Sequence, residues 1–163
     1  MKYLFHMNIK HLNIYNNLIK LTRNKSLYIS NKNNDQFSDR LILFFFHFAF
    51  FLKTYKNQSN KKELQKLHDF IFRQIELSIR EIGYGDTSIN KFMKQYVNFM
   101  YLIIDKVELW EKINLTEKTK FFSDFINLDK EGKFFIDYFN KYTFFLSKKT
   151  FNYFTKDVIS LKF

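Results

Sequence analysis

Arg80-Glu81-Ile82-Gly83-Tyr84-Gly85-Asp86-Thr87-Ser88-Ile89-Asn90-Lys91 is the stretch whose reading decides the fold. It holds two of the chain's three glycines and stands between two long amphipathic runs. Upstream, Leu64, Leu67, Phe70, Ile71, Ile75, Ile79 and Ile82 recur at spacings of three and four, the mark of one helix face. Downstream, Ile89, Phe92, Met93, Tyr96, Val97, Met100, Ile103, Ile104 and Val107 do the same, and Trp110 is expected to close that helix. Gly83 falls where a left-handed residue ends a helix, a conformation glycine reaches without steric cost. Asp86 is expected to cap the second helix, its carboxylate accepting free amides of the first turn. So short a turn predicts that the two helices pack antiparallel as neighbours.

Working outward, Leu41–Leu52 reads Leu-Ile-Leu-Phe-Phe-Phe-His-Phe-Ala-Phe-Phe-Leu without a break. As a helix it is about 18 Å long, well short of the roughly 30 Å of a bilayer core. The run is therefore expected to be a buried central helix rather than a span. Ile9, Leu12, Ile14, Tyr15, Leu18, Ile19 and Leu21 predict an N-terminal helix, and 23–34 a polar connection. Beyond Lys112, helices are expected over 116–128 and 132–146, and a short one over 150–163.

Composition points the same way. There are 163 residues, 46% hydrophobic and 21% aromatic with 23 Phe, which excludes a disordered chain and fits one domain. Proline is absent and glycine scarce, which disfavours an all-β fold with its many turns. The absence of cysteine excludes disulfides and thiolate metal sites. The predicted fold is thus all-α: a single-domain bundle of about six to seven helices around the Phe-rich helix and the helix–Gly turn–helix pair. Residues 1–34 form a basic N-terminal helix and connection, 35–112 the core, and 113–163 helices that complete the same domain.

The formal charge of +11 suggests nucleic acid or an anionic membrane. Only four of the 27 basic residues are Arg, however, and Lys, Asn, Ile and Phe are abundant together, as AT-rich codon usage would produce. Residues 1–34 carry six basic side chains and no acid. No 7–15-residue apolar h-region of a signal peptide and no Arg/Ser-rich transit peptide is visible there.

No phosphate loop, serine elbow or recognised catalytic dyad occurs. His6, His11, His47 and His68 form no metal-ligand pair, and no cofactor is expected. The acid pairs Asp69 with Glu76 and Glu81 with Asp86 are what solvated helix faces carry. His47 reads as a core histidine bonded to an acid or a carbonyl, with haem ligation the alternative. Arg80 reaches Glu76 at i−4. A buried polar cluster of Asp35, Arg40, Asp69, Arg80 and Asp86 or an exposed binding corner would each explain the charges.

Three blocks in order resemble the ubiquinol–cytochrome c chaperone family, assembly factors for cytochrome b of respiratory complex III. Ile79–Asp86 is similar to the family's Leu-Arg-Glu-Met-Gly-Val-Gly-Asp, with Lys91 on the family lysine; Leu67, Asp69 and Phe72 follow its Leu-x-Asp-x-x-Phe. Asp35, Arg40 and His47 fall on the family's aspartate, arginine and histidine, and the resemblance covers about 35–110. Tyr15 and Arg23 stand near a further family tyrosine and arginine. The chain departs at Asn34, Gln36, Asp39 and Asn90, and where the family has Gly-Arg it has Leu102-Ile103.

The resemblance implies a non-enzymatic chaperone that binds newly made cytochrome b and promotes assembly of the cytochrome bc complex. In mitochondrial relatives a small partner protein at the ribosomal tunnel exit takes part. Client or partner binding would then involve Asp35, Arg40, His47, Asp69, Arg80, Glu81, Gly83, Gly85, Asp86 and Lys91. The expected place of work is the cytoplasmic face of a bacterial inner membrane, or the matrix side in a eukaryote. Contact with an anionic membrane through the N-terminal charge is expected, and none with DNA. The alternative is a non-catalytic basic helical module on an anionic membrane surface or on RNA.

Overall fold

The computed structural model describes residues 2–28, 37–57, 59–126 and 132–163, with side chains from residue 9 onward. Among these there are six α-helices and no strand: α1 Lys2–Thr22, α2 Phe37–Tyr55, α3 Lys61–Glu81, α4 Asp86–Glu108, α5 Leu115–Phe125 and α6 Gly132–Ser147. Short 3₁₀ turns cover Lys25–Leu27 and Phe151–Thr155. The helix expected near the C-terminus is thus only this one turn, followed by irregular chain.

The fold is organised around α2. Every residue from Leu41 to Phe51 is buried, which leaves it no polar face, and α1, α4 and α6 pack directly against it. Its ends are polar, with Asp39 and Arg40 in the first turn and Lys53 in the last. No described helix is long and apolar enough to cross a membrane. The core is mostly aromatic. Phe46 meets Phe121 and Phe122 at 5.2 Å edge-on, while Phe50 stacks on Phe139 at 5.1 Å and stands edge-on to Trp110. Such pairs add about 0.5–1.5 kcal/mol each beyond area burial. Trp110, just past α4, is buried and donates from its indole to Asn140 Oδ1 at 3.1 Å.

Local signals explain the helix ends. Asn114 and Glu117 form a reciprocal capping box that starts α5, both bonds 2.9 Å. Lys53 lays its stem along the core and donates to Val107 O at 2.9 Å, a cation at the C-terminus of α4, and also pairs with Glu111. At Gly132 an added Cβ would lie 2.5 Å from Thr119 Cγ2 and 3.1 Å from Thr119 Cα, so the α5–α6 approach needs glycine.

On α1 the pattern differs from expectation. Ile14, Leu18 and Leu21 are buried, but Ile9 and Leu12 are exposed, and the inward face carries His11, Asn17 and Thr22 instead. The reason lies at the other end of the chain. Asn17 Nδ2 donates to Phe154 O at 3.0 Å and Lys156 O at 2.9 Å, and Asn13 Nδ2 donates to Thr155 O at 2.9 Å. Two asparagines one helical turn apart thereby satisfy the backbone of the 3₁₀ turn, which would otherwise lack partners.

Candidate functional site

The α3–α4 corner follows directly from the sequence. Gly83 has φ +100°, the left-handed C′ residue that ends α3, and its N–H donates to Arg80 O at 3.0 Å. Three residues later α4 begins. Its N-cap position is Gly85, in extended conformation, and Asp86 is the first helical residue. Asp86 therefore does not cap α4, contrary to expectation; its carboxylate turns back across the turn to Arg80.

Arg80 is the clip of this corner. Its Nε and Nη2 reach Glu76 Oε1 at 3.0 and 2.8 Å, one turn back on α3, and its Nη1 reaches Asp86 Oδ1 at 2.6 Å. Hydrogen bonds to Asp86, then to Glu76, push the guanidinium pKa further up, so it stays cationic at any accessible pH. The group is solvent-exposed, so the clip adds little to stability; it links the last turn of α3 to the first residue of α4.

Leu77 is 45%, Ile82 52% and Tyr84 46% exposed around the turn. Beneath them Ile79 and Ile89 are buried, and the Tyr84 ring stands edge-on to Phe92 at 4.9 Å. Beyond the corner the helices run antiparallel as expected, His68 of α3 facing Tyr101 of α4 with ring centroids 6.3 Å apart. The corner is an apolar knob in water, rimmed by Glu81 and Lys91, both exposed.

The other expected site residues are dispersed. Asp69 lies on α3 eleven residues before Arg80, about 16 Å away along the helix. It accepts from Gln65 at 3.0 Å. Arg40 stands on the first turn of α2 and lines a cavity of about 200 Å³ with Tyr15, Arg23 and Ser78. The structure thus gathers three of the family-like positions, Tyr15, Arg23 and Arg40, into one cleft between α1, α2 and α3. Asp35 lies outside the described residues. One buried cluster of all five charged groups does not form among the described residues, because Arg80 and Asp86 are exposed and Asp69 and Arg40 sit elsewhere. Gly85, at φ −74°, needs no special conformation.

His47 is enclosed in the core with no accessible surface. Its Nδ1 lies 2.7 Å from Leu43 O and its Nε2 2.8 Å from the Tyr138 hydroxyl. A carbonyl can only accept, so Nδ1 carries the proton and Tyr138 donates to Nε2. Burial lowers the pKa of His47 to about 4, outweighing the Leu43 bond, and pushes that of Tyr138 well up. This is the core histidine bonded to a carbonyl. Its hydroxyl partner, 91 residues away, carried no local signal in the sequence.

Among the described residues no three His, Cys, Asp or Glu side chains come together as a metal site. Of the acids considered for acid–base work, Asp69, Glu81 and Asp86 are exposed and Glu76 is half-buried, and Glu76 and Asp86 are engaged by Arg80. Asn13, Asn17 and Tyr138, which bind one part of the chain to another, were not marked by motif or periodicity.

Fold and site together define an all-α bundle with an exposed, charge-rimmed apolar corner between α3 and α4. Neither a curated protein nor a solved structure matches the chain. The family model of the ubiquinol-cytochrome C chaperone does, over residues 31–109, a stretch that holds α2, α3, the corner and α4. Over that stretch the chain is similar to the ubiquinol-cytochrome C chaperone family.

Proposed function

We propose that this protein is an assembly chaperone that binds newly synthesised cytochrome b and promotes its entry into the cytochrome bc complex. One observation carries the reading. The block of sequence most like the family, Ile79–Asp86, is the exposed corner, where Arg80 bridges Glu76 and Asp86 and the nearby Leu77, Ile82 and Tyr84 stand in water. Isolated apolar side chains on a rigid turn, ringed by charge, suit capture of an apolar client segment that has not yet found its own partners. Glu81, Asp86 and Lys91 would set the register of that contact. Asp69, Arg40 and the Tyr15–Arg23 cleft would serve a second contact, with a small partner chaperone or the ribosome. His47 would support the surface from within the core. The role requires no catalysis and no cofactor. The work would be done at the cytoplasmic face of a bacterial inner membrane, or on the matrix side in a eukaryote.

The test is to recover the tagged protein from detergent-dissolved membranes and identify its companions. Cytochrome b should co-purify, and should be lost with Ile82→Asp or Tyr84→Ser while the thermal melt is unchanged. Recovery of nucleic acid alone would favour a basic RNA-binding module instead. A defined turnover number abolished by Asp69→Asn or Glu81→Gln would refute the non-catalytic reading.

A further inference from the structure

Lysines far apart in the sequence meet where the last turns of α1 adjoin α6 and the tail 156–163. Lys20, Lys141 and Lys162 line one cleft of about 590 Å³, with Asp137 the one acid among its described walls. Phe163 closes an apolar side of this cleft, its ring 5.5 Å from Tyr142 and 5.4 Å from Phe145. From residue 138 to 163 there are five lysines and one acid, Asp157, whose backbone carbonyl accepts from Lys20 Nζ at 3.3 Å. Phe144, three residues beyond Lys141 on α6, is 65% exposed, and Val158, next to Asp157, is 83% exposed. Lys148 Nζ lies 4.9 Å over the Phe144 ring. Lys149 and Lys156 lie 4.6 and 5.9 Å from the ring of Tyr153.

Apolar bodies projecting among ammonium groups are what the boundary between lipid headgroups and acyl chains accommodates. The apolar tips enter the boundary and the lysines stay with the phosphates. Single-stranded RNA would ask for rings with open faces on which bases stack. Here Phe144 and Tyr153 already carry ammonium groups over their faces, so the surface fits lipid better.

We propose that this face, made by the end of α1, α6 and the tail, docks on an anionic phospholipid bilayer, with the lysine cleft seating a headgroup phosphate and Phe144 and Val158 entering the interface. The N-terminal charge expected to do this contributes Lys20; the rest of the face comes from the C-terminal third, outside the family match. The inference rests on the chaperone reading only for its place of work. Its test contains no cytochrome b, so failure of one leaves the other standing.

The full-length protein is sedimented with vesicles of phosphatidylcholine alone and of phosphatidylcholine mixed with phosphatidylglycerol. Binding is expected only to the anionic vesicles. Lys141→Glu with Lys162→Glu should reduce partitioning about tenfold or more. Lys94→Glu with Lys120→Glu, the same change in net charge on α4 and α5, should reduce it less than about threefold. Phe144→Trp gives a readout independent of the charge variants. Its emission should shift to the blue with anionic vesicles, against a constant signal from buried Trp110. Equal losses for the two lysine pairs would overturn the proposal, as would an unmoved Phe144→Trp spectrum in sedimenting protein. So would tighter binding to a single-stranded RNA oligomer that depends on the same two lysines. Should the Lys141/Lys162 variant lack the helical circular dichroism of the unaltered chain, the tryptophan spectrum decides.

Discussion

His47 makes the stability of this protein fall in mild acid, by an amount the core geometry sets. The ring is sealed among Tyr138, Phe139 and Tyr142, with centroids 5.1–5.5 Å away, and its pKa is lowered by burial from 6.5 to about 4. Between these values the unfolded chain takes up a proton that the folded chain refuses. Stability is therefore constant above about pH 6.5, falls as pH drops through that value, and levels off below about pH 4. A gap of some two and a half units corresponds to about 3 kcal/mol, a large share of the stability of a single domain. Urea unfolding at about pH 7 and about pH 4.5, on the unaltered chain and on His47→Leu, isolates this contribution. His11, also lowered by burial against the pull of Glu63, titrates in the same direction in both chains and cancels in the difference. Tyr138→Phe tests the same geometry at neutral pH. It leaves the Nε2 lone pair buried without a donor and should cost about 1–3 kcal/mol. The double variant His47→Leu/Tyr138→Phe removes both halves and should cost less than the sum of the singles. An acid slope unchanged in His47→Leu, or a Tyr138→Phe chain as stable as the parent, would refute the reasoning.

The remaining expectations concern the corner and the two joints that close the bundle. Gly83→Ala should destabilise by roughly 1 kcal/mol in urea, all of it from the positive φ, since an added Cβ meets nothing within 4 Å. Asp86→Ala should leave the melt nearly unchanged, because no cap is lost, yet weaken cytochrome b capture by freeing Arg80; a clear drop in melting temperature would restore a structural role. Gly132→Ala should cost about 1–3 kcal/mol as α5 is forced off α6, read by the same unfolding curves. Asn17→Ala should speed amide exchange in 151–157 while leaving α3 and α4 protected, and uniform protection would mean that the tail holds by its rings alone.

The middle of the chain was legible because its signals are local. The run Leu41–Leu52 is too apolar for a water-facing helix and too short for a bilayer core. The stripes of α3 and α4 come from repeats of three and four, and Gly83 sits between them as the one residue type that the turn accepts. Where a residue had a choice of partners, local signals did not decide between them. Asp86 looked like a cap, but the helix starts at it rather than after it, and Arg80 competes for its carboxylate. Ile9 and Leu12 looked inward by type, while Asn17 took the inward position because backbone carbonyls 137 residues away needed donors. Of the candidate site, the corner was present in one block of sequence. The Tyr15–Arg23–Arg40 cleft and the lysine face were not, since each draws on helices that only the fold brings together.

The two asparagines on α1 also set an order of events. Asn17 is buried beside Leu18 and Ile14, so the inner face of α1 stays incomplete until 154–156 arrive to accept its protons. During synthesis α1 emerges well before that acceptor strip. Until then α1 can rest on α2 only provisionally, with a polar group seeking partners in an apolar seam. Closure of this ring of chain is a late, long-range step, of the kind that makes folding slow and intermediates sticky. Until that strip has emerged, the chain would itself need shelter.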